Sequence, residues 1–304
     1  MTVVAVPVTA PAAQAPRPGI HPAAQPAPHQ VRAARPRRYV MCAPTYFDVT
    51  YAINAWMRVG EPVDTDLALA QWTELGRVYA GLGHTVDVVE GVPGLPDLVF
   101  AANGATVVGD RAYGARFKHP ERRDEAAVHA AFLADRGVVV TPPEHVNEAE
   151  GDFLVLHHAI LAGTGFRTSL RAHVEAARVL DRPVVSLELV DPRFYHLDTA
   201  LAVLDDGTGP APADVAYVPE AFSAHSLRTL REMFPDALEC SVEDAMTLGL
   251  NLVSDGLHVV LPDTAHALAD RIAARGYRVV PVDLSELLKA GGSVKCCTQE
   301  HHAG

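Results

Sequence analysis

A glycine- and cysteine-rich stretch near the C-terminal end, residues 291–298, offers the most direct route to covalent chemistry. Its sequence is Gly-Gly-Ser-Val-Lys-Cys-Cys-Thr, and it holds two of the four cysteines in the chain. The thiolate is the reactive form of cysteine, and an ammonium beside it, as on Lys295, favours that form. On a short extended segment Cys296 and Cys297 point to opposite faces, so at most one faces a given pocket. Free cysteines are otherwise commonly buried as small hydrophobic residues, so partners elsewhere must decide between these interpretations.

A histidine and an aspartate two positions apart, His196 and Asp198, form a second group with chemical potential. In an extended segment, residues two apart point to the same face. The imidazole can act as general acid and base, while the carboxylate orients it or holds a cationic substrate. A purely structural pair is the alternative, so these residues gain functional meaning only together with other groups.

An acidic run at residues 147–152, Asn-Glu-Ala-Glu-Gly-Asp, places three carboxylates within five residues at the entry of a predicted strand. A guanidinium group is the cation best matched to paired carboxylates, because its N–H groups form bidentate hydrogen bonds. The run therefore predicts either a socket for such a cation or a solvated turn with a capping role.

Polar groups in other loops extend this set. The apolar segment 98–104 is predicted as the end of a strand, where Asn103 either belongs to a turn or offers its amide to a substrate nitrogen. Arg167 follows a glycine-rich turn at residues 163–165, from which it can clamp an α-carboxylate. Arg122 is a second candidate of this kind, although arginine usually lies on the surface without such a role. These groups share one site only if the fold brings their loops together.

Composition limits the classes of partner. The 304-residue chain carries a net charge of -12 at pH 7, which argues against a nucleic-acid surface because phosphate binding needs clustered Lys and Arg. No apolar run approaches the roughly 18 residues of a membrane helix, so a small cationic ligand fits better than nucleic acid or membrane. The cysteines at positions 42, 240, 296 and 297 lack disulfide-framework spacing, which predicts reduced thiols and a cytoplasmic location.

The C-terminal residues also allow a metal site on paper. Cys296, Cys297, His301 and His302 can be assembled into zinc ligands, although adjacent cysteines are not the usual spacing of structural zinc. The sequence has no nucleotide or flavin signature. We therefore predict no metal and no cofactor.

The order of predicted elements indicates the fold. Residues 1–37, rich in Ala and Pro, predict a disordered tail, and residues 38–304 predict one catalytic domain. Strand-strand-helix-strand units of roughly 40 to 50 residues recur within this domain. The turn at residues 254–256 predicts a hairpin, which an all-parallel sheet does not contain. These patterns predict an α/β fold of repeated units closed around an axis, which brings distant loops together.

Three of the motifs together resemble one protein family. The His-Leu-Asp-Thr motif at 196–199, the Glu-Gly-Asp run at 150–152 and the Gly-Gly to Cys-Cys-Thr loop at 291–298 look like those of the guanidine-modifying superfamily. This superfamily comprises arginine deiminases, amidinotransferases and dimethylarginine dimethylaminohydrolases. The resemblance covers about residues 38–299. It implies a five-bladed pseudo-symmetric α/β propeller, the pentein fold, which agrees with the repeat prediction.

The resemblance also implies roles for individual residues. Cys296 matches the nucleophile, because it is followed two positions later by threonine. His196 matches the general acid and base, and Asp198 matches a carboxylate that binds the guanidinium. The glutamate that supports the histidine falls in the acidic run, where spacing leaves both Glu148 and Glu150 as candidates.

Further positions imply how the substrate is held and which subgroup applies. Arg122 and Arg167 match carboxylate-binding arginines. Asn103 stands where many deiminases and dimethylargininases carry an acidic residue. Together with Ile-Asn-Ala-Trp-Met at 53–57, it resembles the arginine dihydrolase subgroup, which converts arginine to ornithine. Asn54 and Asn103 are therefore predicted substrate contacts.

The implied reaction cleaves a guanidino C–N bond of a free guanidino amino acid through a covalent intermediate. Cys296 attacks the guanidinium carbon, His196 protonates the departing amine, and water releases a ureido product. One round on arginine gives citrulline and ammonia, and a second round gives ornithine. Dimethylargininase activity, amidinotransferase activity and a silent binding module are the alternatives, and a homo-oligomer stays open as the quaternary arrangement.

Overall fold

The computed structural model describes residues 32–209 and 211–304, in which strands and helices alternate. The strands are β1 Arg38–Cys42, β2 Thr85–Val89, β3 Ala105–Val108, β4 Arg111–Gly114, β5 Val139–Thr141, β6 Phe153–Val155, β7 Ile160–Thr164, β8 Val184–Glu188, β9 Leu201–Asp205, β10 Asp214–Tyr217, β11 Leu238–Glu239, β12 Val253–Ser254, β13 His258–Pro262, β14 Arg278–Val282 and β15 Gln299–His302. The helices are α1 Thr65–Gly81, α2 Glu125–Ala134, α3 Leu170–Leu180, α4 Leu197–Ala200, α5 Ala224–Met233, α6 Val242–Met246, α7 His266–Ala274 and α8 Ser285–Leu288.

Local sequence signals explain where the longer helices begin. Asp64 caps α1 by accepting a hydrogen bond from the backbone N–H of Leu67, and Ser169 caps α3 in the same way. Helix α1 buries one face at helical spacing, which packs it onto the sheet. Within residues 32–209 and 211–304, no helix has the length and apolar character needed to cross a membrane.

The same pairing pattern recurs five times among the described residues. In each unit, two antiparallel strands are followed by a helix and by a third strand that pairs in parallel with the second. The units are β3-β4-α2-β5, β6-β7-α3-β8, β9-β10-α5-β11, β12-β13-α7-β14 and β15-β1-α1-β2. The predicted α/β class, the repeat unit and the hairpin between β12 and β13 are therefore confirmed.

The fifth unit joins the two ends of the folded chain. Strand β15 pairs antiparallel with β1, where Tyr39 lies opposite Glu300, and parallel with β3, where His301 lies opposite Val107. It thereby links two units into a six-stranded sheet with the order β2-β1-β15-β3-β4-β5. Sequence patterns do not predict β15, because Gln-Glu-His-His lacks apolar alternation and its pairing depends on distant strands. This strand fixes the C-terminal end of the cysteine loop, residues 291–298.

Buried side chains connect the units and position the cysteine loop. One core cluster draws on three units and includes Leu161, Leu201 and Leu261. Burial of a side chain of this size contributes about 1.5–3 kcal/mol relative to exposure. A second cluster surrounds the cysteine loop and includes Phe100 and Val294. The cysteine loop is therefore part of a packed core and not a free surface loop.

The segment before β3 differs from its prediction as a strand. It forms two 3₁₀ turns, Pro96–Val99 and Ala101–Asn103. Proline at the first position of the first turn favours this conformation, and the N–H of Phe100 donates to the carbonyl of Asp97 at 2.9 Å. Asn103 therefore lies at the end of a turn, which points its amide into the interior.

The extended conformations predicted around the histidine and the cysteines are also wrong. His196 directly precedes α4, so Asp198 lies in the first turn of a short helix. At the cysteine loop, the N–H of Cys297 donates to the carbonyl of Ser293 at 3.1 Å, which closes a turn. In each segment a threonine hydroxyl also supports the turn, since Thr199 Oγ1 donates to the carbonyl of His196 at 2.7 Å and Thr298 Oγ1 to that of Val294 at 2.8 Å.

Residues 32–37 differ from the predicted tail because their arginines bind to the folded body. Arg32 pairs with Asp214 at 3.1 Å, and Arg35 contacts both Asp205 and Asp206 at 2.9 Å. These carboxylates are largely buried, so an unpaired state would cost free energy. Residues 32–37 are therefore held against the folded body. The remainder of the predicted tail falls outside the described residues.

Candidate active site

The Cys296 side chain lies within a buried group of polar side chains from separate parts of the chain. Its sulfur accepts a hydrogen bond from Asn251 Nδ2 at 3.1 Å, and its thiol donates to Asp198 Oδ2 at 3.5 Å. The backbone N–H of Cys296 donates to Asn251 Oδ1 at 3.0 Å. Since Cys296 is only 2% exposed, its thiol faces these polar groups and not bulk solvent.

The neighbouring Cys297 has a different environment. Both cysteines belong to the apolar cluster that contains Tyr39 and Met41, but Cys297 is fully buried and lacks the contacts with Asn251 and Asp198 that Cys296 makes. Burial, with a smaller effect from Cys42, raises the pKa of the Cys297 thiol. The prediction that at most one cysteine of the pair faces a polar pocket is confirmed, and that cysteine is Cys296.

His196 belongs to a buried chain of charged groups. Its Nε2 lies 2.8 Å from Glu148 Oε2, the same oxygen that accepts from Arg167 Nη1 at 2.8 Å. Burial would raise the pKa of Glu148, but Arg167 and then His196 outweigh it and hold the pKa well below its usual value. Because Glu148 is ionised, Nε2 carries a proton and donates it to the carboxylate. This leaves His196 Nδ1, which has no hydrogen-bond partner in the described part of the chain, as the basic nitrogen.

The structure separates the two glutamates that spacing left open. Glu148 contacts His196, whereas Glu150 pairs with Lys295 Nζ at 2.5 Å. Glu150 also accepts from the backbone N–H of Glu300 at 3.1 Å, which connects it to β15. Burial opposes ionisation of Glu150, but Lys295 and His302 together outweigh burial and lower the pKa. Glu150 therefore anchors the end of the cysteine loop and does not support the histidine.

Asp198 presents a carboxylate beside the thiol. One oxygen faces Cys296, while Oδ1 has no hydrogen-bond partner within residues 32–209 and 211–304. Burial raises the pKa of Asp198 to about 6, although His196 and the ammonium of Lys295 oppose the rise. A buried carboxylate with an unsatisfied oxygen is costly until a cation binds to it. Asp198 is therefore suited to receive a cationic group next to Cys296.

The Cys296 thiol is neutral in the absence of a ligand. Burial is the main cause that raises its pKa well above the ordinary value, and the neighbouring Asp198 carboxylate raises it further. The ammonium of Lys295, predicted to favour the thiolate, is bound to Glu150 instead, so that prediction is wrong. A cation placed between Cys296 and Asp198 stabilises the thiolate. The arrangement therefore becomes nucleophilic when a cationic ligand enters.

Asn103 and Arg122 lie behind the glutamate. Asn103 Nδ2 donates to the backbone carbonyl of Glu148 at 3.0 Å, and its Oδ1 accepts from Arg122 Nη1 at 3.0 Å. Arg122 is fully buried and pairs with Glu125 at 2.8 Å, while Asp97 lies 3.8 Å away. The guanidinium of Arg122 is therefore held inside the protein, where it orients Asn103. Of the two predicted carboxylate-binding arginines, only Arg167 directly contacts Glu148.

The segment 53–57 packs next to the cysteine loop. Asn54 Oδ1 accepts from the backbone N–H of Trp56 at 2.9 Å, and its Nδ2 donates to the carbonyl of Ala290 at 3.1 Å. Arg167 Nη2 donates to the backbone carbonyl of Ile53 at 2.7 Å. The amide of Asn54, a predicted substrate contact, thus braces this loop against the residue that precedes Gly291.

Sequence patterns give little signal for two residues of this site. Asn251 lies in the connection between α6 and β12, in a run of leucine and glycine that looks like ordinary core. The hydroxyl of Tyr195 donates to the carbonyl of Gly291 at 2.7 Å, and its ring lies 4.9 Å from the guanidinium carbon of Arg167. Tyr195 stands directly before His196, and that adjacency is its one sequence clue.

The zinc alternative has no geometric support. It requires Cys296, Cys297, His301 and His302 to converge, but among the residues that the structure describes no three His, Cys, Asp or Glu side chains form a metal-binding group. His302 Nε2 instead lies 3.6 Å from Glu150 Oε1.

Close packing at Gly292 provides a test of how the cysteine loop must be placed. A Cβ at Gly292 would lie 2.2 Å from the Phe100 ring, so alanine must shift the loop or the ring. We expect Gly292→Ala to lower kcat about 10–100-fold, because a displacement of about 1 Å misaligns a nucleophile. Gly81→Ala is the control, since a Cβ there meets nothing within 4 Å. Steady-state kinetics of both variants measures the effect, and equal kcat values would contradict it.

Comparisons with known proteins agree with the geometry. No family model matches the chain. An N(G),N(G)-dimethylarginine dimethylaminohydrolase of Mycobacterium tuberculosis is 53% identical over 271 residues, which are 89% of this chain and 88% of that protein. The chain belongs to the guanidine-modifying superfamily. The resemblance predicted from the three motifs is therefore confirmed.

A second branch of the guanidine-modifying superfamily is also similar. The bifunctional arginine dihydrolase/ornithine cyclodeaminase ArgZ of Synechocystis sp. is 35% identical over 268 residues, which are 86% of this chain but only 37% of that protein. A crystal structure of the N-terminal domain of an ArgZ asparagine-to-serine variant, covalently bound to a reaction intermediate, has a TM-score of 0.83 and 33% identity. The match covers 88% of this chain and 98% of that one. As a homologue of these hydrolases, the chain is an amidine C–N hydrolase.

Proposed function

We propose that this protein hydrolyses guanidino C–N bonds of free L-arginine through a covalent intermediate on Cys296. The observation that carries the proposal is the contact between the Cys296 thiol and the Asp198 carboxylate at 3.5 Å, beside the His196 and Glu148 pair. A nucleophile, an unsatisfied carboxylate and a general base in one buried site suit attack on a cationic guanidinium carbon.

Binding of the guanidinium is the step that activates the cysteine. Its positive charge satisfies Asp198 Oδ1 and, through the same contact, lowers the pKa of the nearby thiol. The neutral nitrogen of His196, Nδ1, then accepts the thiol proton. Arg167 supplies positive charge on the other side of Glu148, and we propose that this charge attracts the α-carboxylate of an amino acid.

The covalent steps conserve the proton. The sulfur of Cys296 forms a bond to the guanidinium carbon, and His196 passes its proton to the amine nitrogen as that C–N bond breaks. His196, neutral again, removes a proton from water, whose oxygen adds to the thiouronium carbon. Collapse of this adduct breaks the S–C bond and returns the thiolate, which takes the hydroxyl proton of the adduct as the ureido product forms. The proton that His196 took from water goes to the released amine. For arginine the first products are citrulline and ammonia.

A second round, which would yield ornithine, depends on how the site treats a neutral ureido group. Asn103 contributes an amide where an acidic residue would add a negative charge near Glu148. The absence of that charge favours a neutral ligand, which supports the arginine dihydrolase activity. Dimethylarginine, cleaved once to citrulline and dimethylamine, is the second candidate substrate. The 53% identity to the Mycobacterium tuberculosis dimethylarginine dimethylaminohydrolase favours it.

The proposed enzyme is a five-bladed pseudo-symmetric propeller formed by residues 38–304. The five strand-strand-helix-strand units support this arrangement, because one blade per unit would gather the loops at 147–152, 196–199 and 291–298 at one end. We propose that the enzyme works in the cytoplasm on a small guanidino amino acid, without a metal or cofactor.

Product analysis by mass spectrometry tests the activity. Arginine, asymmetric dimethylarginine and citrulline are supplied in parallel to wild-type protein and to Cys296→Ala. Ornithine from arginine, absent with the variant, supports the dihydrolase proposal. Citrulline and dimethylamine from the methylated substrate alone would replace it with dimethylargininase activity. No product from any substrate would overturn both.

Asn103→Asp tests the basis of the second round. The added carboxylate disfavours neutral citrulline, so we expect ornithine formation from citrulline to fall at least about tenfold. The first cleavage of cationic arginine is expected to change less, because added negative charge attracts its guanidinium. Citrulline and ornithine are quantified over time from both substrates. Equal losses in the two steps would argue against a charge-based distinction.

A further inference from the structure

We propose that Asn251 is a catalytic residue of this site, whose amide N–H stabilises the Cys296 thiolate while its amide oxygen holds the cysteine loop in place. The proposal rests on the covalent role of Cys296 given above. Asn251 is fully buried and lies between α6 and β12, far from Cys296 in sequence. Two distinct sets of contacts support its two functions.

The first set attaches the cysteine loop to Asn251. The side-chain Oδ1 accepts from the backbone N–H of Ser293 at 3.1 Å and of Cys296 at 3.0 Å. The backbone carbonyl of Asn251 accepts from the N–H of Lys295 at 3.2 Å. Three hydrogen bonds from one residue thus span four positions of the loop. They determine where the sulfur lies relative to Asp198.

The second set is directed at the reacting atom. Asn251 Nδ2 lies 3.1 Å from Cys296 Sγ and 3.4 Å from the backbone carbonyl of Asp198. Asp198, Cys297 and Tyr195 are the acidic groups near the sulfur, and a negative charge on it is disfavoured by them. The backbone of Ser293 and the amide of Asn251 favour the thiolate by hydrogen bonding. The Lys295 ammonium is held by Glu150. Within the described residues, the amide of Asn251 is the side-chain N–H group that donates to Sγ.

This donor acts on the thiolate more than on other states of the sulfur. A thiolate is a strong acceptor, whereas a thiol and the sulfur of a thiouronium adduct are weak acceptors. The Nδ2 hydrogen bond therefore strengthens as the thiol proton moves to His196, and again when the S–C bond breaks and the thiolate returns. Both events lie on the reaction path, so the contact resembles the donor of an oxyanion hole.

Asn251→Asp separates the two functions. The isosteric carboxylate keeps an oxygen for the loop N–H groups but replaces the donor to Sγ by an acceptor. We expect kcat to fall about 100-fold with KM changed less than about threefold. The thermal midpoint is expected to fall at neutral pH, because the new carboxylate oxygen is buried against the Asp198 carbonyl without a donor. Asn251→Ala loses the loop contacts as well, so its thermal midpoint is expected to fall in addition.

The decisive measurement does not depend on turnover. The rate of Cys296 alkylation by iodoacetamide is followed against pH, with peptide mass spectrometry to distinguish Cys296 from Cys297. We expect the apparent pKa of Cys296 to rise by at least about one unit in Asn251→Asp. Asn251→Ala also lacks the donor, so it is likewise expected to raise the apparent pKa of Cys296. It serves as the test if the aspartate variant does not fold.

The outcomes distinguish this proposal from the proposed function. An unchanged alkylation profile in whichever variant folds would overturn the role of Asn251. A shifted profile in a protein that turns over none of the guanidino substrates would support the role of Asn251 and refute the proposed activity. A fall in kcat with an unchanged alkylation profile would reduce Asn251 to a support of the loop, which contradicts the proposal.

Discussion

Cys296→Ala is expected to lower kcat for the guanidino substrate by about 10⁴-fold or more, with the fold intact. The covalent route has no substitute nucleophile at this position, because Cys297 points into the apolar core beside Tyr39 and Met41. Removal of one sulfur from a polar contact leaves only a small cavity, so we expect the unfolding transition to change little. Substrate binding is expected to persist, since Asp198, His196 and Arg167 all remain.

Cys297→Ala is the matched control for this prediction. Cys297 is the residue next to Cys296 and is fully buried, so its replacement by alanine removes the same sulfur atom from an apolar environment. We therefore expect this substitution to lower stability without affecting the chemical step. We expect kcat within about threefold of wild type and a lower free energy of unfolding. Turnover is measured by product formation, and stability by urea denaturation. If Cys296→Ala retained substantial turnover while Cys297→Ala lost it, the assignment of the nucleophile would be reversed.

Groups that act through local motifs were predictable from the sequence. Cys296, His196 and Asp198 stand in short segments whose residue types alone indicate covalent and acid-base chemistry. The repeat of strand, strand, helix and strand was also predictable, because hydrophobic spacing and helix caps such as Asp64 are local signals. The family resemblance then joined these segments into one site.

Contacts across the fold were not predictable from local patterns. The choice between Glu148 and Glu150 depends on which carboxylate faces His196 and which faces Lys295. Both glutamates lie in the same short run, so spacing carries no information about this. Asn251 illustrates the same limit, since its importance comes only from the loop that packs against it.

Charge placement explains why the ligand-free site is inactive. Lys295 and Arg122 are each paired with a buried carboxylate, Glu150 and Glu125, so neither cation is free to activate the thiol. Asp198, by contrast, retains an oxygen with no partner in the described part of the chain. Asp152 Oδ2 likewise has no partner among the described residues, but Asp198 is the carboxylate that contacts the thiol, and the substrate brings positive charge to it. The same unpaired oxygen of Asp198 therefore favours a cationic ligand and lets that ligand activate the nucleophile.

The unpaired oxygen of the buried Asp198 carboxylate leads to the second large prediction. Asp198→Asn is expected to raise stability and to lower activity. Burial raises the pKa of Asp198 to about 6, from an ordinary value of 3.8, so the folded state binds its proton more tightly than the unfolded state. The resulting contribution to stability is present below about pH 4 and is lost as pH rises through about 6. Above that range, the ionised carboxylate destabilises the fold by about 2–3 kcal/mol.

The amide is neutral at every pH and avoids this cost. We expect Asp198→Asn to raise the free energy of unfolding by about 2–3 kcal/mol at about pH 7 and to change it little at about pH 4. The same substitution removes the charge that holds the guanidinium, so kcat/KM is expected to fall about 10²–10³-fold. Urea denaturation at the two pH values and steady-state kinetics provide the measurements. A variant that is less stable at neutral pH would mean that Asp198 is already satisfied in the free protein, and the activation of Cys296 by a cationic substrate would lose its physical basis.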